Sequence, residues 1–295
     1  MRLHGTFVGL ATLDLGYLAG CYPAEDTKSL AEAQFMAAGG PATNAAVTFS
    51  FLAGGGSQLV TGVGTHPLAG VVRDDLRDHG VRLVDLARER TEPPPVSSIT
   101  VSRATGSRTV VSLDASRLMV PAPRRPEALL DDAMIVLVDG HLMDLCVSVA
   151  RAARATGVPV VFDGGRWKSG SHELCRHVDI AICPRSFHPP GVVGRDGVHR
   201  YLHDAGVAMA VTTDGAGPVR FSTPTSQGEL AVGRTTVIDT LGAGDIFHGA
   251  FCYYFLSTNN RFCESLQHAS TVASASCAHF GTRAWMRTAR SHFPA

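Results

Sequence analysis

The sequence predicts an α/β fold: a mainly parallel central sheet flanked by helices, with a small second β-sheet beside it. Short apolar runs alternate with helical patterns along the 295 residues. Most of the runs are too short to be helices, and most end in Gly, Asp or Pro. Two β-rich stretches then interrupt the rhythm.

In chain order the runs are GTFVGLA (5–11), SQLVTGVG (57–64), AMIVLVDG (133–140), VPVVFDGG (158–165), VDIAICP (178–184) and VAMAVTTDG (207–215). Helix-like segments lie between several of them. One is LMDLCVSVARAARATG (142–157), which has arginines towards its C-terminal end and a closing Gly. Strand, helix and strand in succession imply a parallel sheet buried on both faces, whose ligands gather at the carboxyl ends of the strands. The interruptions are residues 15–38 and residues 96–113. In the second, two β-rich halves flank ATGSR and read as a hairpin. Paired with strands from the first, it makes the small sheet. TEPPPV (91–96) reads as a stiff connector rather than a boundary. The whole of 1–295 is therefore expected to form one domain, carrying a discontinuous β-sheet from 15–38 and 96–113.

Composition sets outer limits on function. Lys+Arg and Asp+Glu both number 26, so there is no basic excess to attract nucleic acid or a membrane surface. Any anionic ligand needs a local site. Seven scattered cysteines without a CxxC pair suggest a reduced, cytoplasmic protein. No apolar stretch reaches the roughly 18 residues expected of a membrane span. The thirteen histidines form no HExxH cluster. Neither a Walker-type GxxxxGK[ST] loop nor a GxSxG elbow is present.

The chemistry concentrates in DTLGAGD (239–245), which runs straight into the apolar stretch IFHGAFCYYFL. A lone Asp at a helix start reads first as a cap. Here Gly242 and Gly244 let backbone approach a ligand, and the free N–H groups of a helix start form an anion hole. A carboxylate beside a phosphate repels it unless it accepts the proton of an attacking hydroxyl. Asp245 fits that task, with the apolar helix as a rigid mount.

DTLGAGDIFHGAF resembles the C-terminal signature of the ribokinase/PfkB family of carbohydrate kinases, and GGPATNAAVTFSFLAG (39–54) resembles its N-terminal signature. The resemblance extends in layout over essentially the whole chain, and implies a ribokinase-like three-layer fold whose small sheet is a lid. It implies Asp245 as catalytic base, with Gly242, Ala243 and Gly244 as the anion hole. Asp239 would then help hold a monovalent cation such as K+; read alone, it is equally a turn carboxylate. For the substrate it implies Asp14, which is otherwise a loop acid, together with Gly39, Gly40 and Asn44, the last otherwise a helix cap.

Within the family the likeness is to the ketohexokinase (fructokinase) and sulfofructose kinase types. YPAED (22–26) makes Asp26 a further sugar ligand. Arg108 corresponds to a lid arginine, or else is an exposed hairpin charge. FDGGRWKSG (162–170) is similar to the family's DxNxR segment, so Arg166 and Lys168 would face substrate or phosphates. AVTTDGAGPV (210–219) offers Thr213, Gly215 and Gly217 to ATP, or is an ordinary turn. The small residues of HASTVASASCAHFGTRA (268–284) suit a helix beside adenine, or close packing.

Two departures stand out. ICPRSFHPPG (182–191) lacks the NxxE motif that organises Mg2+ in many relatives, and Pro41 replaces a sugar-binding Asn of ketohexokinases. The expected activity is transfer of the γ-phosphate of ATP, with Mg2+, to a primary hydroxyl of a ketose-like sugar, in a homodimer joined through the lid. The alternatives are a nucleoside kinase, with Phe35 and Tyr17 as an aromatic shelf, and a non-catalytic sugar- or nucleotide-binding regulator.

Overall fold

In the computed structural model, which describes residues 2–289, the chain runs β1 (Gly5–Val8), β2 (Thr12–Ala19), β3 (Ala33–Gly39), α1 (Pro41–Ala53), β4 (Ser57–Thr61), α2 (Pro67–Asp78) and β5 (Val81–Asp85). It continues through β6 (Val96–Ser102), β7 (Arg108–Ser112), β8 (Ile135–Val138), α3 (Met143–Ala155), β9 (Val160–Asp163), α4 (Ser171–Cys175), β10 (Ile180–Pro184) and α5 (Gly194–Asp204). The described part closes with β11 (Met209–Asp214), β12 (Gly217–Ser222), β13 (Gln227–Leu230), α6 (Ala243–Ser257), α7 (Phe262–Ser276) and α8 (Met286–Ala289). Each predicted apolar run supplies a strand.

The main sheet has nine strands in the order β13-β12-β11-β10-β9-β8-β1-β4-β5. It is parallel from β5 to β11, and β12 and β13 add antiparallel at one edge. Because side chains alternate across a strand, each strand feeds two cores. Ile135 and Leu137 pack in one core with residues of α1, α2, α6 and α7. Val136 and Val138 pack in the other with residues of α3, α4 and α5. These are the three predicted layers.

The small sheet is β3-β2-β6-β7, with β2 parallel to β6 and the other pairs antiparallel. It draws on both predicted stretches but begins earlier than 15, at Thr12, so Asp14 belongs to the lid rather than to a loop. Cross-strand partners share a face. Asp14, Ala37, Ser97 and Ser112 make one row, and Gly16, Phe35, Ile99 and Val110 continue that face. Leu15, Met36, Ser98 and Val111 lie on the opposite face, as do Tyr17, Gln34, Thr100 and Thr109. Tyr17 and Phe35 therefore cannot form one aromatic shelf.

Two helices aim the site. Pro41, with its fixed φ, opens α1 after Gly40, a structural task for the residue that departs from the ketohexokinase pattern. Helix α6 crosses α1 so closely that a Cβ on Gly249 would lie 2.3 Å from the Ala45 carbonyl oxygen. Glycine there lets the N-terminal ends of the two helices meet over the carboxyl ends of the strands.

Candidate active site

Asp245 is the third residue of α6, after the left-handed N-cap Gly242 (φ 68°). The cap forms no side-chain hydrogen bond, so the carboxylate is not spent on capping. Its Oδ2 accepts from Asn44 Nδ2 at 2.8 Å, across 201 residues of chain. Asn44 is the fourth residue of α1 and is likewise not a cap. Burial, then the charge of Asp163, push the Asp245 carboxyl up to about 7, while Asn44, His248 and Arg108 pull the other way. A carboxyl titrating there is a proton acceptor suited to neutral pH.

The mount is tied to the sheet. His248, one turn further along α6 and buried, has Nδ1 2.6 Å from the Gly244 carbonyl oxygen and Nε2 3.1 Å from that of Ile182 in β10. Asp163, ending β9, lies 3.5 Å from the same ring. Ahead of the helix, the Ala243 N–H donates at 3.3 Å to Thr240, leaving Gly244 and Asp245 as first-turn amides with no helical carbonyl to reach. A Cβ on Gly244 would meet nothing within 4 Å, and the residue is exposed, so the flank of the helix there is open. Open space, free N–H groups and the positive end of a helix dipole suit an anion.

Across the cleft, Asp14 is buried and stands directly over Gly39, where a Cβ would lie 2.0 Å from the carboxylate. Only glycine allows the approach. Burial raises the Asp14 carboxyl, against hydrogen bonds from Thr12 and Ser97 and the charge of Arg283. Gly40, at φ 98°, caps α1, and a Cβ there would lie 2.3 Å from the Leu10 carbonyl oxygen. Arg108 reaches from the lid to the signature loop, donating from Nη1 to Thr240 Oγ1 at 2.7 Å. Asn44 thus meets Asp245, Asp14 meets Gly39 just ahead of α1, and Arg108 meets Thr240 just ahead of α6.

Other expected residues are placed differently. Asp26 is exposed, in the loop between β2 and β3, at the end of the lid away from Asp14. Five residues from Asp14 to Ala19 put the start of that loop about 16 Å along the strand from Asp14. Arg166 is exposed after β9, and Lys168 folds back to the carbonyls of Asp139 and Arg166, each at 3.5 Å. Thr213 lies near the end of β11 beside Pro184, Gly215 in the turn that follows, and Gly217 opens β12. Asp214 in that turn pairs with Arg195 and with Arg185. Where the NxxE motif would fall, Phe187 is buried against Phe162 and Trp167.

Asp239 is buried, and burial raises its carboxyl. Its two oxygens accept the backbone N–H groups of Leu241 (2.8 Å) and Gly281 (2.9 Å), the work of a turn carboxylate. Among the described residues, no group of three or more His, Cys, Asp or Glu side chains is arranged to hold a metal. Nor is any helix among them long and apolar enough to cross a membrane.

Sequence reasoning missed Arg283 and Asp75. Arg283 donates from Nη1 to Asn44 Oδ1 at 3.0 Å, and from Nη2 to the Ala38 carbonyl at 2.6 Å and Asp75 Oδ2 at 3.1 Å. Neither belongs to a signature, and their partners lie far off in sequence.

An α/β fold that sets a raised carboxyl beside free first-turn amides, with Asn44 of a second helix donating to it, offers the groups that phosphoryl transfer uses. The chain matches the pfkB family carbohydrate kinase profile over residues 6–289 and belongs to that family. It is 24% identical to the ketohexokinase of Mus musculus over 291 residues, covering 92% of this chain and 94% of the relative. Among solved structures it resembles the ribokinase of Thermotoga maritima (TM-score 0.76, 17% identity, 99% of each chain). It also resembles the ribokinase of Arabidopsis thaliana complexed with ribose and ATP (TM-score 0.75, 20% identity, 95% and 94% of the two chains). The protein is a sugar kinase with the ribokinase-like fold.

Proposed function

We propose that this kinase transfers the γ-phosphate of ATP to a primary hydroxyl of a ketohexose or related fructose-like sugar. The observation that carries the reading is Asp245: a half-buried carboxyl on the first turn of α6, oriented by Asn44 and raised to about 7, beside the exposed Gly244. Asp245 takes the proton of the sugar hydroxyl as that oxygen attacks phosphorus, and the first-turn amides, including those of Gly242 and Gly244, stabilise the charge on the transferring group. Asp14, together with the Gly39 and Gly40 backbone, accepts and orients the sugar's other hydroxyls. Arg108 closes over the phosphates from the lid.

The turn at Thr213, Gly215 and Gly217 and helix α7 support the nucleotide. Mg2+ would be carried mainly by phosphate oxygens and water, as it commonly is beside transferred phosphates. Asp239 would turn a free lone pair to K+. Separation of Tyr17 from Phe35 favours a sugar over a nucleoside, because no aromatic shelf is formed. The lid and main sheet work as one unit, and the outer lid face suits a second copy: Tyr17, Met36 and Val111 are 42%, 56% and 69% exposed there. Seven free thiols accord with a cytoplasmic setting.

The test is an ADP-release screen over ketoses, aldoses, sugar acids, sulfosugars and nucleosides, with Asp245→Asn as control. Turnover is expected on a ketose, falling about 10²- to 10⁴-fold in the variant. Sugar binding without phosphate transfer to any acceptor would instead favour a regulator. Preference for a nucleoside would overturn the substrate class.

A further inference from the structure

We propose that Arg283 is a positioning residue for phosphoryl transfer: clamped by Asp75 and Ala38, it fixes the Asn44 amide so that its NH2 group donates to Asp245. The inference rests on the reading of Asp245 as the base. A guanidinium only donates hydrogen bonds, so the Asn44 group facing Arg283 Nη1 at 3.0 Å must be the carbonyl oxygen. The amide nitrogen is thereby turned to Asp245 Oδ2, at 2.8 Å. Of the two oxygens of the base, Oδ2 is engaged and Oδ1 is left to take the proton. A side chain 38 residues beyond Asp245 in the sequence thus chooses the reacting oxygen.

The arginine is itself held. Its side chain is 15% exposed and Asp75 14%, and they meet at 3.1 Å. Asp75 Oδ2 also accepts the Ala38 N–H at 3.1 Å, while Arg283 Nη2 donates to the Ala38 carbonyl at 2.6 Å. Both backbone groups of Ala38 are gripped, one residue before Gly39. The root of lid strand β3 and the base therefore share one guanidinium. A planar fork has the geometry for this; a single ammonium does not.

The effect should be visible in the titration of Asp245. The groups facing it are Asp163 from β9, His248 on its own helix, Arg108 from the lid and Asn44 from α1. Loss of Arg283 frees the amide to rotate and weakens a hydrogen bond to the ionised form. A bond to a charged group governs a factor of about ten to one hundred.

The experiment measures the Asp245 side-chain carboxyl by 13C NMR titration, assigned by its loss in Asp245→Asn, beside kcat and KM. The variants are Arg283→Met and the charge-balanced pair Asp75→Asn/Arg283→Met, which leaves no unpaired buried charge if the single variant fails to fold. Expected are a titration moved to higher pH, kcat lower by about ten- to hundredfold and KM for ATP within about twofold, since Arg283 makes no contact in the nucleotide turn. Both effects should vanish in an Asn44→Leu background. An unmoved titration with only a lower Tm, or the same effects without Asn44, would overturn the proposal. The titration needs no turnover: activity surviving in Asp245→Asn defeats the base assignment, whereas an inactive Asp245→Asn with an unmoved titration defeats only the role of Arg283.

Discussion

Asp245 places an ionisable group where burial penalises its charge, and this sets activity against stability at a single side chain. The folded protein holds the carboxyl at about 7, above its ordinary 3.8. As the proposed base, Asp245 must be ionised, so kcat/KM is expected to fall about tenfold per unit as pH drops below that value, read from a pH–rate profile. Stability runs the other way. A carboxyl raised by folding favours the folded state while protonated, and that contribution is lost as pH rises through the folded value. Asp245→Asn should therefore melt higher than the native chain at pH 8, with the difference shrinking towards pH 5, as calorimetry would show. The helix start at 242–245 was legible in sequence because its pattern is local: two glycines and an acid ahead of an apolar run already describe a helix entry. Arg283 was not legible. Its meaning lies in contacts 239 residues away with Asn44 and 208 away with Asp75.

At the scale of elements, the site depends on how closely α6 rides on α1. A mid-helix glycine ordinarily costs about 0.5–1 kcal/mol relative to alanine. At Gly249 the neighbouring carbonyl reverses that preference, because an added Cβ would stand 2.3 Å from it. Gly249→Ala should lower Tm despite alanine's better helix propensity, by about 1–3 kcal/mol of overpacking, and lower kcat by spreading Asn44 from Asp245. Gly244→Ala, whose Cβ meets nothing, should leave Tm nearly unchanged and raise KM for ATP. The strands were legible from short apolar runs ending in turn residues, and the hairpin at 96–113 from its two β-rich halves. Register was not, because it takes pairing to show that Phe35 lies with Gly16 while Tyr17 faces away. The place of Asp26, exposed in the loop between β2 and β3, was not legible for a related reason: motif spacing says nothing about which end of a small sheet a loop occupies.

At the scale of the molecule, the lid has an inner face that carries Asp14 and Arg108 and an outer face with no charged residue in the Leu15 and Tyr17 rows. If the outer face holds a second copy, Val111→Glu should shift the protein to monomer in analytical ultracentrifugation, with little change in Tm, because Val111 is 69% exposed in the single chain. The order of synthesis adds a further consequence. Asn44 is made early and waits 201 residues for Asp245, and Arg283 follows later still. Domains can begin to fold during synthesis, and contacts this distant in sequence are slow to form. A nascent chain can complete its lid sheet and several parallel strands while its base does not yet exist. The Asn44–Asp245 contact can therefore form only late in synthesis, after every strand of both sheets has been made.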